Sequence, residues 1–140
     1  QEPAKKMSKS DENQNATVSI LDKPEQIIKK FKRAVTDSDM EVCYKEGKDG
    51  INNLMSIYSV VTGKTMDEIT AEFAGKGYGD FKTAVGEAVA EELRPVREEF
   101  DRLMADKAYL EQCYKEGAEK ASRIAGRTME KVKRKVGLIG

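Results

Sequence analysis

Apolar residues return at three- and four-residue steps through most of this chain, in blocks that open after an Asp or Thr and close at a Gly or Pro. A 3.6-residue period places such residues on one face of an α-helix, whereas a half-buried strand needs a period of two. Only Thr17-Val18-Ser19-Ile20-Leu21 alternates, weakly, and could be a short extended segment. The fold class expected is therefore all-α: a helical bundle of about five helices behind a mobile, polar N-terminal loop.

The blocks can be bounded one by one. Asp22 with Glu25 fits a capping box, Pro24 suits a first turn, and Ile27, Ile28, Phe31, Ala34 and Val35 form a stripe, predicting a first helix over about 23–35. Asp49 offers a second cap before Ile51, Leu54, Met55, Tyr58 and Val61, and Gly63 stands where a helix end takes a left-handed residue. Thr65 and Glu68 make another capping box for a short third helix that stops at Gly75. Asp80 is read as the cap of a long pattern from Phe81 to Leu103, with a break expected near 91–94 because Pro95 removes a donor and crowds the carbonyl of Glu91. After Asp106 the last helix runs to about Gly137, and Gly117, Ala118, Ala121 and Ala125 would let it lie close against a neighbouring helix.

The 140 residues are 39% apolar and 36% charged, enough for a core and too apolar for a disordered tail. With 25 basic and 25 acidic residues there is no global field toward DNA or a membrane, so neither is an expected partner. No apolar run approaches the roughly 20 residues of a membrane span, and no signal-peptide segment precedes the helices, which points to the cytoplasm. Cys43 and Cys113 lack metal-site spacing and read as reduced packing thiols, and the absence of histidine excludes a His-based triad or zinc site. No metal ligand is expected.

One string stands out from the helical blocks: Lys6-Met7-Ser8-Lys9-Ser10. On composition it reads equally as a solvated Lys/Ser linker. The functional alternative is a phosphate grip, because lysine is a flexible point charge able to follow a phosphate through a reaction, with hydroxyl donors beside it. Ammonium groups placed where charge builds on a departing pyrophosphate stabilise the transition state more than the ground state. Met7 suits an anchor rather than a phosphate contact.

KMSKS resembles the second signature of class I aminoacyl-tRNA synthetases. The stretches C-terminal to it are similar, in order and spacing, to the C-terminal portion of the bacterial tryptophan enzymes: 34–38 (AVTDS), 50–54 (GINNL) with 57–59 (IYS), 77–82 (GYGDFK) and 117–121 (GAEKA). The resemblance covers essentially the whole chain. It implies a tryptophan-tRNA ligase that activates tryptophan with ATP, with Mg2+ accompanying the nucleotide, and transfers it to tRNA(Trp), the parent being a homodimer. It assigns Lys6, Met7, Ser8, Lys9 and Ser10 to the ATP loop, Lys9 as the main catalytic contact and Lys6 as its support. Residues 1–21 are then the loop and connector of a nucleotide-binding domain, and 22–140 a helical anticodon-binding domain. The family's HIGH signature is absent, so the chain is expected to be an inactive fragment with no bound cofactor.

Candidate tRNA contacts are Lys76, Tyr78 and Lys82 in the glycine-rich 75–82 turn, and Lys131, Lys133, Arg134 and Lys135 in the last turns. Each has a competing reading: a tight turn with Tyr78 packed on the core, and cations offsetting a helix dipole. Lys29, Lys30, Lys32 and Arg33 form a third cluster that also reads as a solvated helix face. Asp49, Asn52 and Asn53 suit capping and first-turn roles better than base reading. The alternative function is a stand-alone helical RNA-binding or protein-interaction module without catalysis.

Overall fold

A computed structural model describes Asn13 and residues 15–138; Lys6 to Ser10 lie outside the described residues. Among those described there are six helices and no strand: α1 (Pro24–Lys32), α2 (Asp49–Thr62), α3 (Met66–Glu72), α4 (Tyr78–Glu92), α5 (Arg94–Ala105) and α6 (Lys107–Lys135). The 17–21 segment is not a strand. Val18 packs on the core, and a turn at 19–22 is closed by the Asp22 N–H on the Ser19 carbonyl at 3.0 Å.

The chain divides after Arg97 into two compact units. In the first unit α1 packs along α4, α2 on α4, and α3 on α2. Their stripes meet in one core that includes Ile27, Ile51, Met55, Ile69, Phe81 and Val85, with Val42 contributed by the loop between α1 and α2. Tyr58, Phe73 and Phe81 form an edge-to-face triangle with centroids 5.7, 5.9 and 4.9 Å apart. Each such pair adds about 0.5–1.5 kcal/mol beyond area burial. Two glycines set the spacing. A Cβ on Gly86 would stand 2.8 Å from the Ile28 Cα, and one on Gly50 would overlap the Val35 carbonyl oxygen.

At several helix ends the local signals hold. Thr65 accepts from the Glu68 N–H while the Glu68 carboxylate accepts from the Thr65 N–H at 2.8 Å, and Gly63 closes α2 with φ +73. The expected break at Pro95 falls at Leu93, between α4 and α5, and Arg97 Nη2 reaches back to the Ala90 carbonyl at 2.9 Å. Asp106 caps α6 by accepting from the Tyr109 N–H.

Three other aspartates are not caps. Lys23 precedes α1, its N–H held by Gln26 Oε1 at 2.9 Å, and Asp22 instead binds Lys30. Lys48 and Gly77 hold the cap positions of α2 and α4, so Asp49 and Asp80 fall in first turns. There their charge still favours the helix dipole.

In the second unit, residues 98–140, α6 buries no side chain. A Cβ on Gly117 or Gly126 would meet nothing within 4 Å. Within this unit no described helix packs on that small-residue face. Cys113 lies exposed on α6 and Cys43 half-buried in the loop before α2; both are free thiols. No helix among the described residues is long and apolar enough to cross a membrane.

Candidate functional site

The glycine-rich turn is built by opposing demands at its two ends. Gly75 takes φ +76 to leave α3, Gly77 is extended at the start of α4, and Phe81, fully buried, ties the first turn of α4 to the aromatic triangle. Tyr78 packs against this core rather than standing free. Its hydroxyl donates to Asp37 Oδ1 at 2.8 Å and lies 3.3 Å from the Lys48 ammonium. Lys82 points its ammonium at the Ala34 carbonyl, 2.8 Å, and Thr36 Oγ1, 2.9 Å. Of the three candidates in this turn, Lys76 is the exposed one, its ammonium 5.1 Å from the Phe73 ring centroid.

These bonds clamp residues 34–39 from two sides. Lys48, only 8% exposed, donates to the Glu41 carbonyl at 2.9 Å and pairs with Asp39 at 2.7 Å. The Asp39 carboxylate holds that ammonium above the usual lysine range, and Lys48 in turn holds Asp39 below the usual carboxylate range. Burial, reinforced by the hydrogen bond to Asp37, pushes the Tyr78 hydroxyl up to about 12. Burial lowers Lys82, against the attraction of Asp37. The second Asp37 oxygen, Oδ2, is buried without a hydrogen-bond partner. Such a junction suits positioning of the 34–39 segment.

The remaining candidates separate by exposure. Lys131, Lys133, Arg134 and Lys135 are all exposed on the last turns of α6. The carbonyls there are already capped by backbone, with Val136, Gly137 and Leu138 N–H groups on Val132, Arg134 and Lys133 at 3.0, 3.2 and 2.9 Å. These side chains are not needed as carbonyl caps. In α1, Lys30 is tied to Asp22, while Lys29, Lys32 and Arg33 are exposed. Asn52 is structural: its side-chain amide donates to the Lys45 carbonyl at 2.8 Å and accepts the Lys45 N–H at 3.1 Å. No group of three or more His, Cys, Asp or Glu side chains able to hold a metal comes together among the described residues.

Residues 1–94, which include both KMSKS and the clamped junction, match the family model "tRNA synthetases class I (W and Y)". The chain belongs to this synthetase family. Within it, the chain is 49% identical to a tryptophan–tRNA ligase of Clostridium tetani, over 99% of this chain and 41% of that protein. A Clostridium perfringens tryptophan–tRNA ligase is 48% identical over 99% of the chain and 42% of its own length. The chain thus spans about two-fifths of the length of the curated relatives it matches. A solved tryptophanyl-tRNA synthetase from Mycoplasma pneumoniae superposes with TM-score 0.59 at 29% identity, covering 70% of this chain and 33% of that one.

Sequence reasoning does not reach the junction. The sequence reading names neither Asp39 nor Lys48, and Asp37 only within the 34–38 stretch, because their partners lie far along the chain: 41 residues separate Asp37 from Tyr78, and 30 separate Lys48 from Tyr78. The usable signal is Lys48 directly before an apolar block, a place where a cation disfavours the helix dipole unless something else holds it.

Proposed function

We propose that this chain is the C-terminal part of a tryptophan–tRNA ligase, the parent enzyme joining tryptophan to ATP and then to tRNA(Trp). The observation that carries the reading is collinear similarity over 99% of this chain to tryptophan–tRNA ligases, with KMSKS at its head. In the first step a tryptophan carboxylate oxygen attacks the α-phosphorus of ATP, forming the mixed anhydride and releasing pyrophosphate. Lys9, with Lys6, meets the charge that accumulates on the departing pyrophosphate, and the Ser8 and Ser10 hydroxyls add donors. Met7 anchors the loop. Mg2+ enters with the nucleotide as part of the substrate.

On this reading the helices after residue 22 form the anticodon-binding part of a cytoplasmic, homodimeric enzyme. Lys76 and the last-turn cations Lys131, Lys133, Arg134 and Lys135 contact tRNA. Tyr78 and Lys82 act indirectly, by holding 34–39 in place.

The test is complementation. The chain is mixed with the remaining N-terminal part of the Clostridium tetani relative, and tryptophan-dependent exchange of pyrophosphate into ATP is measured. Exchange should appear only with both parts present, and Lys9→Ala should lower it by about 10²–10³-fold, the usual cost of one transition-state donor. Two folded parts that give no exchange would overturn the reading.

A further inference from the structure

Between the KMSKS string and the first helix, one carboxylate oxygen joins two parts of the chain. Asp22 Oδ2 accepts the Ser19 N–H at 2.9 Å and also binds the ammonium of Lys30 on α1. Two further bonds close the turn around it, the Asp22 N–H on the Ser19 carbonyl at 3.0 Å and the Leu21 N–H on Ser19 Oγ at 3.3 Å. The connector ahead of α1 is thereby bridged to the body of that helix through a single side chain.

Ordinary roles do not account for this bridge. Lys23 holds the cap position of α1, its N–H bonded to Gln26 Oε1 at 2.9 Å, so Asp22 is not needed as a cap. The helix dipole favours an acid near this end but asks for no partner eight residues on. Both side chains are shielded, Lys30 at 17% and Asp22 at 16% exposed. A pair taken out of water repays its desolvation only in part, so stability is a weak reason for it, whereas fixing the direction of the chain is a specific one.

We infer, resting on the tRNA-ligase reading, that Asp22 and Lys30 are positioning residues for the KMSKS string. Their bridge fixes where the connector leaves the helices, and so where Lys9 meets the departing pyrophosphate; neither side chain touches substrate. Lys9 stands ten residues before Ser19, and at about 3.5 Å per residue it cannot lie more than ~35 Å from it. Holding one end of so short a tether raises the effective concentration of the groups it carries. At a reacting centre, a misplacement of about 1 Å costs up to ~10²-fold in rate.

The test uses the mixture of this chain with the N-terminal part of the Clostridium tetani relative, read by tryptophan-dependent exchange of pyrophosphate into ATP. Asp22→Asn and Lys30→Met should each lower the kcat of exchange about tenfold and leave the KM for tryptophan unchanged. Lys30→Arg, which keeps the charge, should retain most of the rate. In a Lys9→Ala background, Asp22→Asn should cost less than about twofold, since a residue that acts through Lys9 has nothing left to place. As a control, Lys64→Met breaks a pair of the same kind, with Glu72 of α3, and should leave exchange unchanged. Circular dichroism and denaturant unfolding check that every variant is folded.

If the parent mixture exchanges and the folded Asp22→Asn and Lys30→Met variants keep its kcat, the bridge has no positioning role and the ligase reading stands. The same holds if Asp22→Asn costs as much in the Lys9→Ala background as in the parent, the mark of a structural effect alone, or if Lys64→Met lowers exchange equally. A parent mixture of two folded parts that gives no exchange overturns both the positioning role and the ligase reading.

Discussion

The first and second units carry the same sequence signals and put them to different ends. In α1 to α4, capped blocks of period 3.6 converge, and their stripes bury one another around Tyr58, Phe73 and Phe81. In α6 the capping is as good, with Asp106 on the Tyr109 N–H, yet none of its residues is buried. Capping and period therefore specify helices, and a core needs stripes wide enough to meet. On α6 the stripe is interrupted by Gly117, Ala121 and Thr128, and the charged face is as ordered as the apolar one. One unit uses its helices as walls, the other presents a helix as a surface.

The difference is broken most directly at the triangle. Phe81→Ala removes a fully buried ring, and the first unit should lose about 3–5 kcal/mol in denaturant unfolding. Ile124→Ala on α6 should stay within about 0.5 kcal/mol, as exposed substitutions do. Equal losses would mean that the division between packed and exposed helices is wrong. Next in size is Gly50→Ala, whose Cβ would overlap the Val35 carbonyl. Overpacking of this kind costs about 1–3 kcal/mol. Because the displaced segment carries Thr36 and Asp37, the loss should be coupled to Lys82→Met in a double-mutant cycle.

Alkaline titration gives a smaller and more local reading of the same junction. The Tyr78 hydroxyl rises from an ordinary 10.0 to about 12 in the folded chain, first through burial and then through Asp37. The folded state therefore keeps a proton that the unfolded state releases. The stabilising contribution is complete below 10.0 and disappears as pH climbs toward 12. Ultraviolet titration of the tyrosines should show a late ionisation that Tyr78→Phe removes while those of Tyr58, raised by burial, and Tyr109, raised by Cys113, remain, with a shallower fall of stability across that window. An unchanged titration curve in the variant would mean that Tyr78 is not the shielded group.

Much of the fold is legible in the sequence because its determinants are local. Thr65 and Glu68 stand three residues apart, Gly63 ends its own helix, and Pro95 breaks the helix two residues ahead of itself, at Leu93. Asp22, Asp49 and Asp80 mislead for an instructive reason. Asp49 and Asp80 fall in first turns, where an aspartate favours the helix through the dipole as well as through capping, while Asp22 precedes the Lys23 cap and pairs with Lys30, so composition locates a start only to within a turn. The KMSKS string is legible as chemistry because all its groups are contiguous. The junction is not, since Lys82 and Thr36 meet only after 46 residues of chain have folded between them.

The smallest effect tests the exposed helix most sharply. Gly126 sits inside α6, where a Cβ would meet nothing within 4 Å. Glycine in a helix interior costs about 1 kcal/mol relative to alanine, so Gly126→Ala should raise the helicity of α6 and leave unfolding of the first unit unchanged. The opposite sign is equally informative. Were a helix packed on this small-residue face, as the sequence invites one to expect, the added methyl group would push it away and the chain would lose stability. At Gly86, where an added Cβ would stand 2.8 Å from the Ile28 Cα of α1, alanine should do that. The pair Gly86→Ala and Gly126→Ala thus reports one chemical change in two surroundings. If the two substitutions move stability in the same direction, the distinction between a helix used as a wall and one presented as a surface fails.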